Sequence, residues 1–179
     1  MTQEIRHEHV PIFRVVRKGW ADPIDTTFSQ HPKVSNRWNT AEFPALYCCC
    51  SETVARAIVR DVFALAGVDL EDLQDDSRPQ LVEVHWTGGA VDMISPSGVT
   101  TAGFPGDYPK GVGHAVTQPA ATGWHSQGFE AVVCRSASRS RLGFNNWVGD
   151  HQQWSEFAIF TDIAVVRPSV LRRRLTWIG

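Results

Sequence analysis

Residues 37–55 read Arg-Trp-Asn-Thr-Ala-Glu-Phe-Pro-Ala-Leu-Tyr-Cys-Cys-Cys-Ser-Glu-Thr-Val-Ala, and their order sets the architecture. Residues 44–50 are a short, mostly apolar run bounded by proline and serine, the pattern of a buried strand. Ser51 follows as a helix N-cap, and Glu52 suits the positive end of the helix dipole. The helix is expected to run to about Ala66 and to close at Gly67. Val54, Ile58, Val62 and Leu65 fall at the spacing of one buried stripe. A strand that passes directly into a capped helix fixes one unit of a mixed α and β chain.

Outward from this unit, residues 10–17 alternate as a strand with Ile12, Arg14 and Val16 on one face. Residues 20–43 are polar, interrupted by Pro23 and Pro32, and read as a long loop of the kind that carries function. Past the helix, residues 81–86 read as a strand and 90–94 as another, with Gly88-Gly89 as the turn between them. Residues 95–115 are rich in glycine and proline and read as a second long loop. Pro119 fits the first position of a helix opening at Thr117 or Gln118 and ending by Gly128. Residues 129–135 read as a strand, 136–154 as loop and 156–166 as one or two strands; the tail after Pro168 suits either helix or strand. The fold class is α+β, one domain over residues 1–179, with a mixed or antiparallel sheet and a few helices.

Composition narrows the function. Of 179 residues, 42% are hydrophobic and 20% charged, enough apolar content for a packed core. The net charge of −2 argues against a nucleic-acid surface, which carries a basic excess. Only Lys18, Lys33 and Lys110 are lysines, so the basic side is almost all arginine, the planar partner of phosphate and carboxylate. No run is long and apolar enough for a membrane span, and the first ten residues lack a signal-peptide core, so a cytoplasmic location is expected. Cys48, Cys49, Cys50 and Cys134 have no zinc-site spacing and read as reduced, buried side chains. No metal site is expected: His7-Glu8-His9 reads as a solvated tail. The Arg172-Arg173-Arg174 run reads as a solvated or carboxylate-paired face. GxSxG, Walker and GxGxxG motifs are missing; Gly111-Val112-Gly113-His114-Ala115-Val116 lacks the third glycine and a preceding strand.

Three segments remain informative. They are Phe13-Arg14, Arg37-Trp38-Asn39 with its strand and Ser-capped helix, and Thr117-Gln118 followed by an apolar strand ending in Arg135-Ser136-Ala137. Their order resembles the RES domain family over about residues 11–166. The resemblance implies an ADP-ribosyltransferase-like fold and an enzyme that consumes NAD at the nicotinamide–ribose bond, by phosphorolysis or hydrolysis. It further implies a toxin of a bacterial toxin–antitoxin pair, blocked by a helical antitoxin. NAD is then the substrate, inorganic phosphate an optional co-substrate, and no other cofactor is expected; a homo-oligomer is an open alternative. Carried over residue by residue, Arg14 matches the first-strand arginine, Arg37 the arginine of the RWN motif and Tyr47 the strand tyrosine. Thr117 is the nearest match to a later serine, and Ser136 matches the Ser-Ala motif. The chain departs from the family at Ser35-Asn36, where a glycine pair is usual, and at Val15. The family glutamate falls eleven positions after the strand tyrosine, which here is Ile58.

The chemistry explains these residue types. Breaking the nicotinamide–ribose bond builds positive charge on the ribose, as in glycoside cleavage. Arginines grip the pyrophosphate by paired charge-assisted hydrogen bonds. Tyr47 or Trp38 can stack on the nicotinamide ring. A helix N-terminus at Thr117 would favour an anion. A carboxylate normally stabilises the ribosyl cation, and Ile58 cannot. Arg14, Thr117 and Ser136 are thus the candidate catalytic residues, and Arg37, Trp38 and Tyr47 the candidate NAD-binding ones. Most also have a structural role open to them: ion pairing for Arg14, a surface loop position for Arg37, core packing for Tyr47, and capping or turn closure for Thr117 and Ser136. The Ile58 departure leaves three outcomes: NAD cleavage, ADP-ribosyl transfer or other altered nucleotide chemistry, and a binding module without catalysis.

Overall fold

In a computed structural model, described for residues 2–17, 20, 22–31, 36–69, 72–74, 77–137 and 154–174, and for 167–174 as backbone only, the elements run β1 (Glu4–Val16), β2 (Ala45–Cys49), α1 (Glu52–Leu65), β3 (Gln80–Met93), α2 (Pro96–Thr101), α3 (His114–Ser126), β4 (Ala131–Arg135), β5 (Ser155–Phe160) and β6 (Val166–Arg174). A single 3-10 turn, Thr27–Gln30, interrupts the loop before β2. The fold is α+β, as expected. The strand order is β1-β2-β5-β4-β3-β6, and β1 also pairs along β3, so five strands close into a circuit with β6 attached outside. Only β3 and β4 are parallel. Three apolar clusters result. Ile12, Leu46, Val84, Trp86, Phe157 and Ile159 fill the inside of the circuit. Trp38, Phe43, Tyr108, Trp124 and Phe160 lie under α2 and α3. Val54, Ala55, Leu81 and Cys49 seat α1. Fully burying a side chain such as Leu46 or Ile159 contributes about 1.5–3 kcal/mol.

The strand–helix unit forms as its sequence predicts. The Ser51 hydroxyl accepts from the Val54 N–H at 3.3 Å, filling one of the orphan donors of the first turn. The buried stripe differs from the expected one: Val54, Ala55 and Val59 are inside, Ile58 is half-buried, and Val62 and Leu65 are 56% and 74% exposed. The helix packs by its first two turns and then leaves the sheet.

Several other boundaries are corrected. Gly88-Gly89 is no turn; both glycines lie inside the single long strand β3. A Cβ on Gly88 would strike the Glu130 carboxylate and the Trp86 ring, and one on Gly89 would strike Glu4, so close approach is what requires glycine there. The Gly/Pro-rich loop hides α2, which opens on Ser95 as N-cap and Pro96 in the first turn. His7-Glu8-His9 lies in β1 and not in a tail. The His7 ring packs on Trp86 and Phe157, and burial lowers its pKa. After Pro168 the chain continues as strand β6 to Arg174, the last described residue. Of the expected loop 136–154, only residues 136, 137 and 154 lie among those described.

Candidate functional site

The Arg37-Trp38-Asn39 turn and the β2 tyrosine belong to one hydrogen-bonded assembly. The Tyr47 hydroxyl accepts from the Trp38 N–H and donates to Asn39 Oδ1, both at 2.9 Å. Buried Asn39 donates through Nδ2 to the carbonyls of Ser29 and Phe43. Gln118 on α3 donates to the carbonyls of Asn36 at 2.8 Å and Asn39 at 3.3 Å. The spacing between the RWN turn and the strand tyrosine thus reports a tertiary lock: an apolar residue at position 47 would strand both a backbone donor and an amide oxygen. In sequence Gln118 is only the neighbour of Thr117; in the fold it is the pin that ties α3 to this turn.

A cavity of ≈ 1020 Å³ opens between α1, β1 and β2. Its volume is at the upper end of the ~300–1,000 Å³ usual for small-molecule sites. Phe13, Arg14, Trp20, Tyr47, Ile58 and Glu156 are on its wall. Of the six residues predicted from sequence, the structure therefore places two, Arg14 and Tyr47, directly on the cavity.

Arg14 is largely engaged. Its Nη1 donates to the Pro23 carbonyl at 3.0 Å and its Nη2 to the Asp25 carbonyl at 3.1 Å, and the guanidinium lies 5.7 Å from the centre of the Trp20 ring. Burial lowers its pKa, opposed by the nearby Cys48, Asp25 and Asp22. Arg37 is different. Its Nη1 is buried and has no hydrogen-bond partner among the described residues. Burial works against its charge, but Tyr108, Cys134 and Glu156 outweigh it and the pKa is raised. The two arginines do not meet. Arg14 lies beside Cys48, whereas Glu156 pairs in register with Cys49, and consecutive strand residues project to opposite faces. Arg14 and Arg37 thus sit on opposite faces of the sheet.

Three buried hydroxyls lack partners as well. The hydroxyls of Tyr108, Thr117 and Ser136 are buried without a hydrogen bond of adequate geometry among the described residues. Buried native hydroxyls normally have partners, so these are candidates for contacts that a ligand or water would make. Thr117 is not at a helix N-terminus: Gly113 is the N-cap of α3, and Thr117 is wholly buried in the first turn, with Pro119 inside the helix. Pro119 as a first-turn residue implies a later boundary, but α3 starts three residues before Thr117. Trp38 is 1% exposed and packs in the core, its indole N–H pointing at the Cys134 sulfur at 3.2 Å, so it offers no face to a ligand in this structure.

Glu156 joins the cavity to this cluster. On β5 it sits opposite Cys49 of β2 and Cys134 of β4, and its Oε1 accepts from the Ala137 N–H at 3.1 Å, next to Ser136. Sequence reasoning missed it, because its neighbours in the site come from two other strands and only the register shows them. Burial of the cysteines pushes the Cys48 thiol to about 12 and the Cys134 thiol to about 11. They are therefore protonated packing groups and not thiolates at neutral pH. Among the described residues no group of His, Cys, Asp and Glu could hold a metal, and no helix is long and apolar enough to cross a membrane.

The RES domain model matches residues 11–173, nearly the whole chain. The chain belongs to the RES domain family. A chain in the crystal structure of the M. tuberculosis MbcT–MbcA toxin–antitoxin complex shares its fold, with a TM-score of 0.73 at 14% identity, covering 96% of this chain and 86% of that one. No curated protein matches in sequence. Within the RES chain, the matched region contains the RWN turn, its tyrosine lock, the α1 cavity and the Ser136 strand end.

Proposed function

We propose that this RES protein consumes NAD at the nicotinamide–ribose bond and acts as the toxin of a toxin–antitoxin pair. The observation that carries the proposal is the buried, unpartnered Nη1 of Arg37 beside a dinucleotide-sized cavity in a chain of this family. A buried cation with an open donor is costly unless an anion completes it. The NAD diphosphate has the charge and geometry to do so. The half-buried Tyr47 ring, on the cavity wall, serves for stacking, since the hydroxyl is committed to the RWN turn. Thr117 and Ser136 contribute buried hydroxyls to the anion or the ribose. Arg14 fixes the 22–25 loop as one wall of the cavity, so its role is positioning.

In the reaction, the bond between ribose C1′ and the pyridinium nitrogen breaks, and its electron pair leaves with neutral nicotinamide. A water oxygen bonds to C1′ and loses a proton, giving ADP-ribose. With inorganic phosphate as the nucleophile, a phosphate oxygen forms that bond instead, giving the ADP-ribose 1-phosphate. NAD is substrate, and no further cofactor takes part. The likeness to a toxin solved with its antitoxin supports a protein inhibitor for this chain, acting in the cytoplasm. The exposed Val62 and Leu65 beyond the packed part of α1 give such a partner apolar surface to cover.

The test incubates purified protein with NAD, with and without inorganic phosphate, and measures free nicotinamide. Release well above a protein-free control is expected, and faster release with phosphate identifies a phosphorylase. No release under either condition overturns the proposal.

A further inference from the structure

The family position for a carboxylate is Ile58, yet Ile58 and Glu156 are both on the wall of the same cavity. We infer that Glu156 supplies from β5 the negative charge that the family carries on α1; this rests on the NAD-cleaving reading above. Among the described residues, Glu156 is the one acid on that wall. Its competitors are elsewhere. Glu52 faces Arg56 at 3.6 Å across one helical turn, and neither Glu52 nor Asp61 borders the cavity.

The placement is specific. The β2–β5–β4 register sets Cys49, Glu156 and Cys134 in one row across the sheet, so the carboxylate projects on the face of Arg37 and Tyr47 and not on that of Arg14. The Ala137 N–H holds Oε1, and Oε2 has no partner among the described residues. One oxygen is thus anchored and the other open, the arrangement that keeps a carboxylate preorganised without neutralising it. Arg37 and Glu156 carry opposite charge and lie within electrostatic reach of each other, without pairing. NAD presents the complementary order, an anionic diphosphate and a cationic nicotinamide riboside. As the C1′–nitrogen bond breaks, the electron pair leaves on nicotinamide and the ribose becomes cationic. Glu156 stabilises that charge and hydrogen-bonds a ribose hydroxyl, while water or phosphate closes the bond to C1′. An acid moved from helix to strand would preserve this role, since the charge need only reach the same ribose.

The experiment compares full-length wild type with Glu156→Gln. Kcat for nicotinamide release should fall about 100-fold or more, the size of losing one preorganised electrostatic contact. Calorimetric NAD affinity should stay within about threefold, because Gln keeps the size and the Ala137 hydrogen bond. A purely structural Glu156 would instead weaken binding and folding together. Adding Ile58→Glu to Glu156→Gln should recover at least about tenfold of the lost rate, because it returns the charge to the helix side of the cavity. If wild type cleaves NAD and Glu156→Gln keeps its rate within about threefold, this assignment is overturned and the NAD reading survives. If wild type releases no nicotinamide, both fall. Should Glu156→Gln fail to unfold cooperatively, Glu156→Asp decides: it keeps the charge one methylene short, so a rate about tenfold down supports the assignment and an unchanged rate overturns it.

Discussion

Arg14 closes its guanidinium fork on the carbonyls of Pro23 and Asp25, whereas Arg37 leaves a buried Nη1 open beside Tyr108, Cys134 and Glu156. Both are family arginines, both are mostly withdrawn from water, and their sequence contexts invite the same reading as phosphate ligands. The neighbours separate them. Backbone carbonyls satisfy Arg14 in the free protein, and burial still lowers its pKa. A carboxylate and two weak acids raise that of Arg37 without completing its hydrogen bonds. A satisfied cation holds a wall in place; an unsatisfied one waits for an anion. Residue type suggests chemistry, but the state of the donors decides which arginine performs it.

Arg37→Ala is the sharpest way to break that contrast. It should lower kcat/KM for NAD by about 10²–10³-fold, as expected for removal of a preorganised cation that meets developing or fixed negative charge. Thermal stability should fall less than activity, because the Nη1 donor makes no hydrogen bond and the contact to lose is that with the Tyr108 hydroxyl. Nicotinamide release and a thermal melt on the same sample check both halves. An unaffected kcat/KM would remove Arg37 from the site.

Arg14→Ala should behave in the opposite way. Losing hydrogen bonds from a charged donor to two carbonyls costs about 2–3 kcal/mol, one of them being at an exposed position. For a chain of this size that is a fall in Tm of roughly 4–10 °C. Turnover per folded molecule should remain within about threefold. Lost turnover at unchanged Tm would return Arg14 to the chemistry and dissolve the contrast.

The same distinction governs what the sequence could disclose. Ser51 as N-cap, α1 and β2 were legible because their signals are local: one hydroxyl, one apolar run, one period. Gly88-Gly89 misled for a physical reason. A glycine pair marks either a turn or a place where side chains press against the backbone, and only the positions of Glu4 and Glu130 distinguish the two. Pro119 misled likewise, since proline favours a first turn but is tolerated deeper in α3. Val62 and Leu65 kept helical spacing after the helix had left its support. In the site, Arg14, Tyr47 and Arg37 were found by motif, but their division of labour was not, because it lies in contacts with Pro23, Trp38 and Tyr108. Glu156 carried no local signal; it becomes visible when β2, β5 and β4 are set in register.

The smallest expected effect concerns the cysteines that flank each side of the comparison, Cys48 beside Arg14 and Cys134 beside Arg37. Burial raises both from an ordinary value of 9.0, to about 12 and about 11, and each adjacent arginine offsets only part of that rise. At pH 8 a thiol with pKa about 11 is ionised in only about one molecule in a thousand, and the thiolate is the reactive form. A thiol reagent should therefore leave Cys48, Cys49 and Cys134 untouched in the native protein, react at most with half-buried Cys50, and reach all four free cysteines after unfolding. The pH dependence follows the same sign. The folded state holds these protons more tightly than the unfolded one, so their contribution is fully present below pH 9. It is lost as pH rises through 9 towards about 11 and 12, by up to about 1.4 kcal/mol per pH unit for each thiol. Urea melts at stepped pH measure this slope. Cys134→Ser should lose its share of the slope, because a hydroxyl does not ionise in that range. If the wild-type slope persists undiminished in Cys134→Ser and Cys48→Ser alike, neither Cys134 nor Cys48 carries the alkaline transition.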